Sequence, residues 1–243
     1  NYIAKIGQPM GMIYGYIYEG TYKYDDFDKS GSSYTLKGNI PHYVSESNTQ
    51  PGMPKYKDLN GDGIIDTNDR TMIGRGLPIH TGGFTNNFEY KGFDLSVFFQ
   101  WSYGNDVLNA NRLFFDSGFQ KKRELNQYAS YTNRWTPENP NSDIPAATNS
   151  SSNLVISSRV VEDASFLRLK TVTLGYTVPK TFLKKYKIDN ARLYVAAQNL
   201  WTITGYSGYD PEVSIRSGGL TPGLDFSSYP RALSVSFGIN LGF

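Results

Sequence analysis

The sequence predicts an all-β chain forming part of an antiparallel transmembrane β-barrel with long extracellular loops. Three observations carry this expectation: an uninterrupted two-residue alternation in the last strand, connections that are short and long by turns, and no long apolar run. The chain has 243 residues, 39% of them hydrophobic, with a mean hydropathy of −0.45. No stretch approaches the roughly 20 apolar residues of a membrane-spanning helix. A membrane barrel places only alternate residues in lipid, so low mean hydropathy is compatible with it.

From Leu233 to Phe243 the odd positions are Leu233, Val235, Phe237, Ile239, Leu241 and Phe243, and the even ones are small or polar. Such alternation defines a strand with two unlike faces. As the last strand of a soluble domain it would leave an apolar edge open to other chains; in a barrel it pairs. Phe93, Leu95, Val97, Phe99, Trp101 and Tyr103 form a second stripe, Val172, Leu174, Tyr176 and Val178 a third, and Leu193, Val195 and Ala197 a fourth. Leu167 and Leu169 fall on the opposite parity from Val172, which either a bulge or a strand extending past the membrane accounts for. Weaker stripes run through Met10, Met12, Tyr14, Tyr16 and Tyr18 and through Phe84, Phe88 and Tyr90.

Only Lys91-Gly92 separates the strands ending at Tyr90 and starting at Phe93, a tight hairpin. About ten residues join Val178 to Ala191, whereas 20–77, 104–164 and 205–230 are long. With a periplasmic C-terminus, the long connections fall outside the cell and the short ones in the periplasm. About six strands result, fewer than the roughly eight of the smallest membrane barrels, so residues 1–243 are expected to be the C-terminal portion of a longer barrel. The start at Asn1 rather than Met fits a processed or truncated N-terminus.

The chain holds 24 Lys and Arg against 22 Asp and Glu, which implies no nucleic-acid partner, and it lacks cysteine. No nucleophile, acid/base set or phosphate loop can be assembled, so no enzyme is expected. His42 and His80 read as structural residues, and Asp25, Asp26 and Asp28 as a solvated loop. Lys180, Lys184, Lys185 and Lys187 form a basic turn beside lipid headgroups, and Trp101, Tyr103, Trp201 and Tyr206 read as an interfacial aromatic girdle.

One stretch has metal-ligand spacing. Counting Asp58 as the first position, Asp58, Asn60, Asp62, Asp66 and Asp69 stand at positions 1, 3, 5, 9 and 12 of the calcium-loop pattern; Ile64 offers its carbonyl at 7, and Gly63 permits the sharp turn at 6. A structural Ca²⁺ is expected there. The alternative is an Asp/Asn/Gly-rich turn that binds nothing.

The stretches Tyr56–Gly63, Asp69–Gly74, Phe88–Asp94, Asn133–Thr136, Asp163–Lys170, Thr173–Pro179, Tyr194–Leu200 and Gly208–Glu212, with the terminal strand, resemble the SusC/RagA-type TonB-dependent transporters of Bacteroidetes. The resemblance implies an outer-membrane barrel of about 22 strands, plugged by an N-terminal domain and covered by a SusD-type surface lipoprotein. It implies uptake of oligosaccharides or peptides, energy from TonB–ExbB–ExbD acting through the missing N-terminal part, and pairs of transporter–lipoprotein units. The rival reading is a soluble, calcium-stabilised β-domain that binds carbohydrate or a protein partner.

Overall fold

The computed structural model describes residues 1–118, 126–148, 153–216 and 218–243, which form two compact units. One unit comprises residues 78–105, 163–212 and 229–243 and contains five strands: β1 (His80–Tyr90), β2 (Phe93–Tyr103), β3 (Phe166–Thr177), β4 (Asn190–Thr204) and β5 (Ser234–Gly242). Each pairs antiparallel with its neighbour in chain order, so the sheet is an up-and-down meander with β1 and β5 at its edges.

The hairpin between β1 and β2 has the expected two-residue turn. Lys91 and Gly92 both have positive φ, 48° and 89°, which the right-handed twist of the flanking strands requires of such a turn. The connection from β3 to β4 is the other short one. The remaining connections all leave the same end of the strands.

The ambiguous parity of Leu167 and Leu169 resolves as a bulge. Leu169 pairs with Phe99 and Thr171 with Phe98, so Lys170 is an extra residue relative to β2. Facing β4, the same residue lies opposite Asn199 and Leu200, and Asn199 adopts a φ of 54°. One inserted residue moves everything before it to the other face. Leu167 and Leu169 thereby join the face of Val172 and Leu174.

The other unit comprises residues 1–77, 106–162 and 213–228 and collects most of the three long connections. They are not bare loops, because they carry short strands and three apolar clusters of their own. Ile13, Leu108, Leu113 and Val160 centre one cluster, Tyr16, Tyr56 and Ile65 the second, and Tyr22, Phe27 and Leu36 the third. The stripe Met10–Tyr18 belongs here, so the main sheet has five strands where the sequence suggested about six. Its strand Met12–Gly15 pairs with Tyr2–Ile3 and Thr71–Arg75. The residue it buries fully is Ile13, on the face opposite the stripe. A β-carbon on Gly15 would stand 2.4 Å from the carbonyl oxygen of Ile156, so only glycine allows that approach.

An ion cluster ties the segment after β4 to the strands. Arg168, 3% exposed, donates to Asp210 at 2.6 Å, to Glu212 at 3.2 Å and to the Thr202 hydroxyl at 3.0 Å. Arg231 reaches Glu212 at 3.1 Å, and its N–H donates to Asp210 at 3.2 Å. Burial by itself raises the Asp210 carboxyl, but the Glu212 N–H, the Arg168 guanidinium and the Arg231 N–H outweigh it and leave the group below its ordinary 3.8. A depressed carboxylate contributes stability above its unfolded pKa and loses it as pH falls through the folded value. Amides in 205–212 should therefore be strongly protected from hydrogen exchange at neutral pH, and their protection, measured against the intrinsic rate at each pH, should fall as pH drops below about 4. Asp210→Asn should give fast exchange already at neutral pH, with a local cost of about 1.5–3 kcal/mol; an unchanged exchange profile would refute this role.

Candidate functional site

The sheet registers its side chains in rows. On one face Tyr90, Phe93, Tyr176, Leu193 and Ile239 lie side by side across all five strands. The next row is Phe88, Leu95, Leu174, Val195 and Phe237, and the one beyond is Asn86, Val97, Val172, Ala197 and Val235. Past the bulge come Phe84, Phe99, Leu169 and Trp201, then Gly82, Trp101, Leu167 and Ile203. Asn86 is the one polar side chain in these rows. The face is uncovered, with Phe237 83% exposed and Trp201 59% exposed. In water, so broad an apolar surface would be a liability.

From Phe93 to Tyr103, β2 climbs roughly 33 Å at about 3.3 Å per residue. A tilt of about 40° turns this into roughly 25 Å along a membrane normal, the height of the apolar band on membrane barrels. Aromatic rings mark its far end. Phe84 stacks on Phe99 at 4.9 Å, His80 stacks on Tyr103 at 5.1 Å, and the Trp101 ring nitrogen lies 3.1 Å from His80 Nδ1. His80 thus packs into this aromatic end, and the His42 backbone brackets the acidic loop described below. Trp101, Tyr103 and Trp201 fit the expected girdle, but Tyr206 does not, being only 5% exposed. It folds against Gly208, whose added β-carbon would lie 2.4 Å from the Tyr206 ring.

The opposite face is polar. Asp94, Ser96, Gln100, Thr173, Arg192, Gln198 and Ser236 lie on it, with Phe98 and Tyr194 as its large rings. Asp94 and Arg192 sit two strands apart and form a bidentate pair, with Arg192 Nε donating to Asp94 at 3.0 Å. Between them lies Gly175, where a β-carbon would fall 2.4 Å from both partners. The pair needs that gap, and spacing in the sequence does not show it; a glycine within an alternating strand was its only sign. Tyr194 crosses Gly238 in the same manner.

The acidic loop Asp58–Asp69 lies in the other unit. Asp58 accepts N–H bonds from Gly61 at 2.6 Å and Gly63 at 2.8 Å. Asp69, fully buried, accepts from Leu59 at 2.8 Å and Asp66 at 2.8 Å. Asp62 accepts from Ile64 at 2.8 Å, Asp66 from Asn68 at 2.7 Å, and Asn60 donates to Asp62 at 2.9 Å. Ile65 enters the core with Tyr16 and Tyr56, and its N–H donates to the His42 carbonyl at 3.0 Å. The fold thus holds Asp58, Asn60, Asp62, Asp66 and Asp69 on one turn, with Ile64 exposed between them. Among the described residues no three Asp, Glu or His side chains gather as a metal cluster. The loop is closed by its own N–H groups, and its carboxylates keep acceptor sites to spare.

An antiparallel meander, apolar on one face and polar on the other over membrane height, defines a wall segment of a transmembrane β-barrel. No protein-family model matches the chain. TonB-dependent receptor P3 of Formosa agariphila is 37% identical over 246 residues, covering 99% of this chain and 23% of the receptor. TonB-dependent receptor SusC of Bacteroides thetaiotaomicron is 29% identical over 201 residues, 82% of this chain and 18% of SusC. The solved RagAB peptide transporter superposes with a TM-score of 0.71 at 28% identity, over all of this chain and 23% of that one. The chain belongs to the SusC/RagA-type TonB-dependent receptors and spans about a quarter of the length of P3. Those relatives are receptors and transporters, not enzymes.

Val172 and Thr173 are adjacent at mid-height on opposite faces. In the full-length protein embedded in bilayers, Val172→Lys should cost about 2–4 kcal/mol and Thr173→Lys close to none. Urea titrations read from the heat-modifiable band would measure both. Equal costs would contradict the assignment of faces.

Proposed function

We propose that this chain is the C-terminal part of the barrel of an outer-membrane importer that takes up oligosaccharides or peptides with a SusD-type surface lipoprotein. The observation that carries this reading is the two-faced five-strand sheet, together with its likeness to TonB-dependent receptors along nearly the whole chain. The apolar face meets lipid, and the polar face, with Asp94 and Arg192, lines the lumen. Energy comes from TonB–ExbB–ExbD through protein outside these residues. The unit built from the long connections lies outside the cell, where it adjoins the lipoprotein and the substrate, and transporter–lipoprotein units associate in pairs. Likeness to the RagAB peptide transporter supports peptides as cargo.

Sidedness is directly testable, because residues 1–243 hold no cysteine and any cysteine elsewhere in the full-length protein can be replaced first. In cells carrying the full-length protein, Ser47→Cys should react with a membrane-impermeant maleimide, while Lys185→Cys should react only after the outer membrane is opened. The reverse pattern would overturn the topology. Disrupting the gene should also abolish uptake of labelled cargo, and the purified transporter should bring a surface lipoprotein with it.

The Asp58–Asp69 loop binds a structural Ca²⁺ in this reading, since it supplies hard oxygen donors from Asp58, Asn60, Asp62, Asp66, Asp69 and the Ile64 carbonyl. Such an ion stiffens the turn without taking part in transport chemistry. Calorimetric titration of the solubilised full-length protein should show saturable heat with Ca²⁺, lost in Asp58→Ala/Asp62→Ala. No heat from the unmodified protein would end the calcium proposal.

A further inference from the structure

The short connection between β3 and β4 carries a surface that neither the barrel wall nor cargo binding uses. After Pro179 the chain makes one helical turn, Lys180–Leu183, and a tighter one, Lys184–Tyr186. The turn is firmly built: Leu183 is buried, the Phe182 N–H donates to the Pro179 carbonyl at 3.0 Å, and the Asp189 N–H donates to the Gly242 carbonyl of β5 at 2.8 Å. Lys187 closes it with a φ of 55°.

Two kinds of exposed side chain share this small element. Lys180, Lys184, Lys185 and Lys187 are all exposed, and none forms an ion pair among the described residues. Phe182 and Tyr186, four residues apart, are 70% and 67% exposed. Lysines alone would be an ordinary solvated turn. Two large rings beside four free ammoniums are the chemistry of a membrane interface, where rings sit at headgroup depth and cations meet anions. The turn also adjoins the row Tyr176, Leu193 and Ile239 at the edge of the apolar face.

We propose that residues 179–187 bind an anionic phospholipid of the periplasm-facing leaflet. The rings of Phe182 and Tyr186 enter the acyl boundary, and the lysine ammoniums hold the phosphodiester headgroup. This rests on the barrel reading above, which puts the turn at the membrane surface.

The test uses the full-length protein in mixed micelles of phosphatidylcholine and phosphatidylglycerol, with retained lipid counted by native mass spectrometry. The unmodified protein should retain phosphatidylglycerol preferentially. Each lysine replaced by glutamine should weaken that preference by roughly fivefold, and added salt should weaken it further. Lys184→Gln/Lys185→Gln is the milder variant should replacement of all four lysines together fail to fold, and Lys184→Arg/Lys185→Arg should keep retention at the unmodified level. A heat-modifiable Lys184→Gln/Lys185→Gln protein with undiminished preference would overturn the lipid site and leave the barrel intact. Displacement of the lipid by equimolar inorganic phosphate would overturn it in favour of a free-anion site. If the unmodified protein is not heat-modifiable and retains no lipid, the barrel reading itself fails, and this proposal with it.

Discussion

A strand gives alternate side chains to alternate faces, and hydrocarbon offers no hydrogen-bond partner to a polar group placed in it. Those two facts make register the constraint on which the sheet depends. A slip of one residue in any strand would exchange its lipid set for its polar set. The bulge at Lys170 meets this constraint locally: it restores Leu167 and Leu169 to the apolar face and frees the Lys170 ammonium to reach Glu212 at 3.6 Å. The glycines of the sheet serve the same geometry from the other direction. Gly175 leaves room for Arg192 to reach Asp94, and Gly82 leaves room for the Trp101 ring, 2.3 Å from where a β-carbon would stand.

The unit made from the long connections solves a different problem. Segments without long strands leave many carbonyls to satisfy, and tyrosine supplies an apolar ring with a donor at its tip. Tyr22 donates to the Pro41 carbonyl at 2.6 Å, Tyr18 to Asp143 at 2.6 Å and Tyr2 to Pro222 at 2.9 Å, with Tyr22 central to one core. Deeper charge is handled by pairing: Asp116, with no exposed surface, is held by Arg159 at 2.9 Å and Arg112 at 3.2 Å. Tyrosines thus serve both the loop cores, as Tyr16, Tyr22 and Tyr56 do, and the membrane-facing rows, as Tyr90 and Tyr176 do. Composition alone could not separate these uses.

What the sequence made legible was what depends on neighbours in the chain. The terminal strand, the stripe from Phe93 to Tyr103, the Lys91-Gly92 hairpin and the alternation of connection lengths are all local signals, and the structure has each of them. What escaped depends on partners remote in sequence. The Met10–Tyr18 stripe reads as a wall strand until Gly15 is seen packed on Ile156, with Ile13 buried behind it. Tyr206 has the composition of a girdle residue but folds inward onto Gly208. The Asp94–Arg192 pair spans 98 positions and becomes visible only when β2, β3 and β4 lie in register.

The acidic loop shows how far spacing can carry an argument. Ligand spacing specifies which oxygens lie on a turn, but the same oxygens also satisfy the turn's own amides. Here Asp58 and Asp69 grip the N–H groups of residues 59, 60, 61 and 63 from the two ends of the loop, while Ile65 is fixed in a tyrosine core. The turn is therefore formed by backbone acceptance and apolar burial before any cation is considered. An ion binding such a loop draws on acceptor sites left over and adds rigidity to a shape already present.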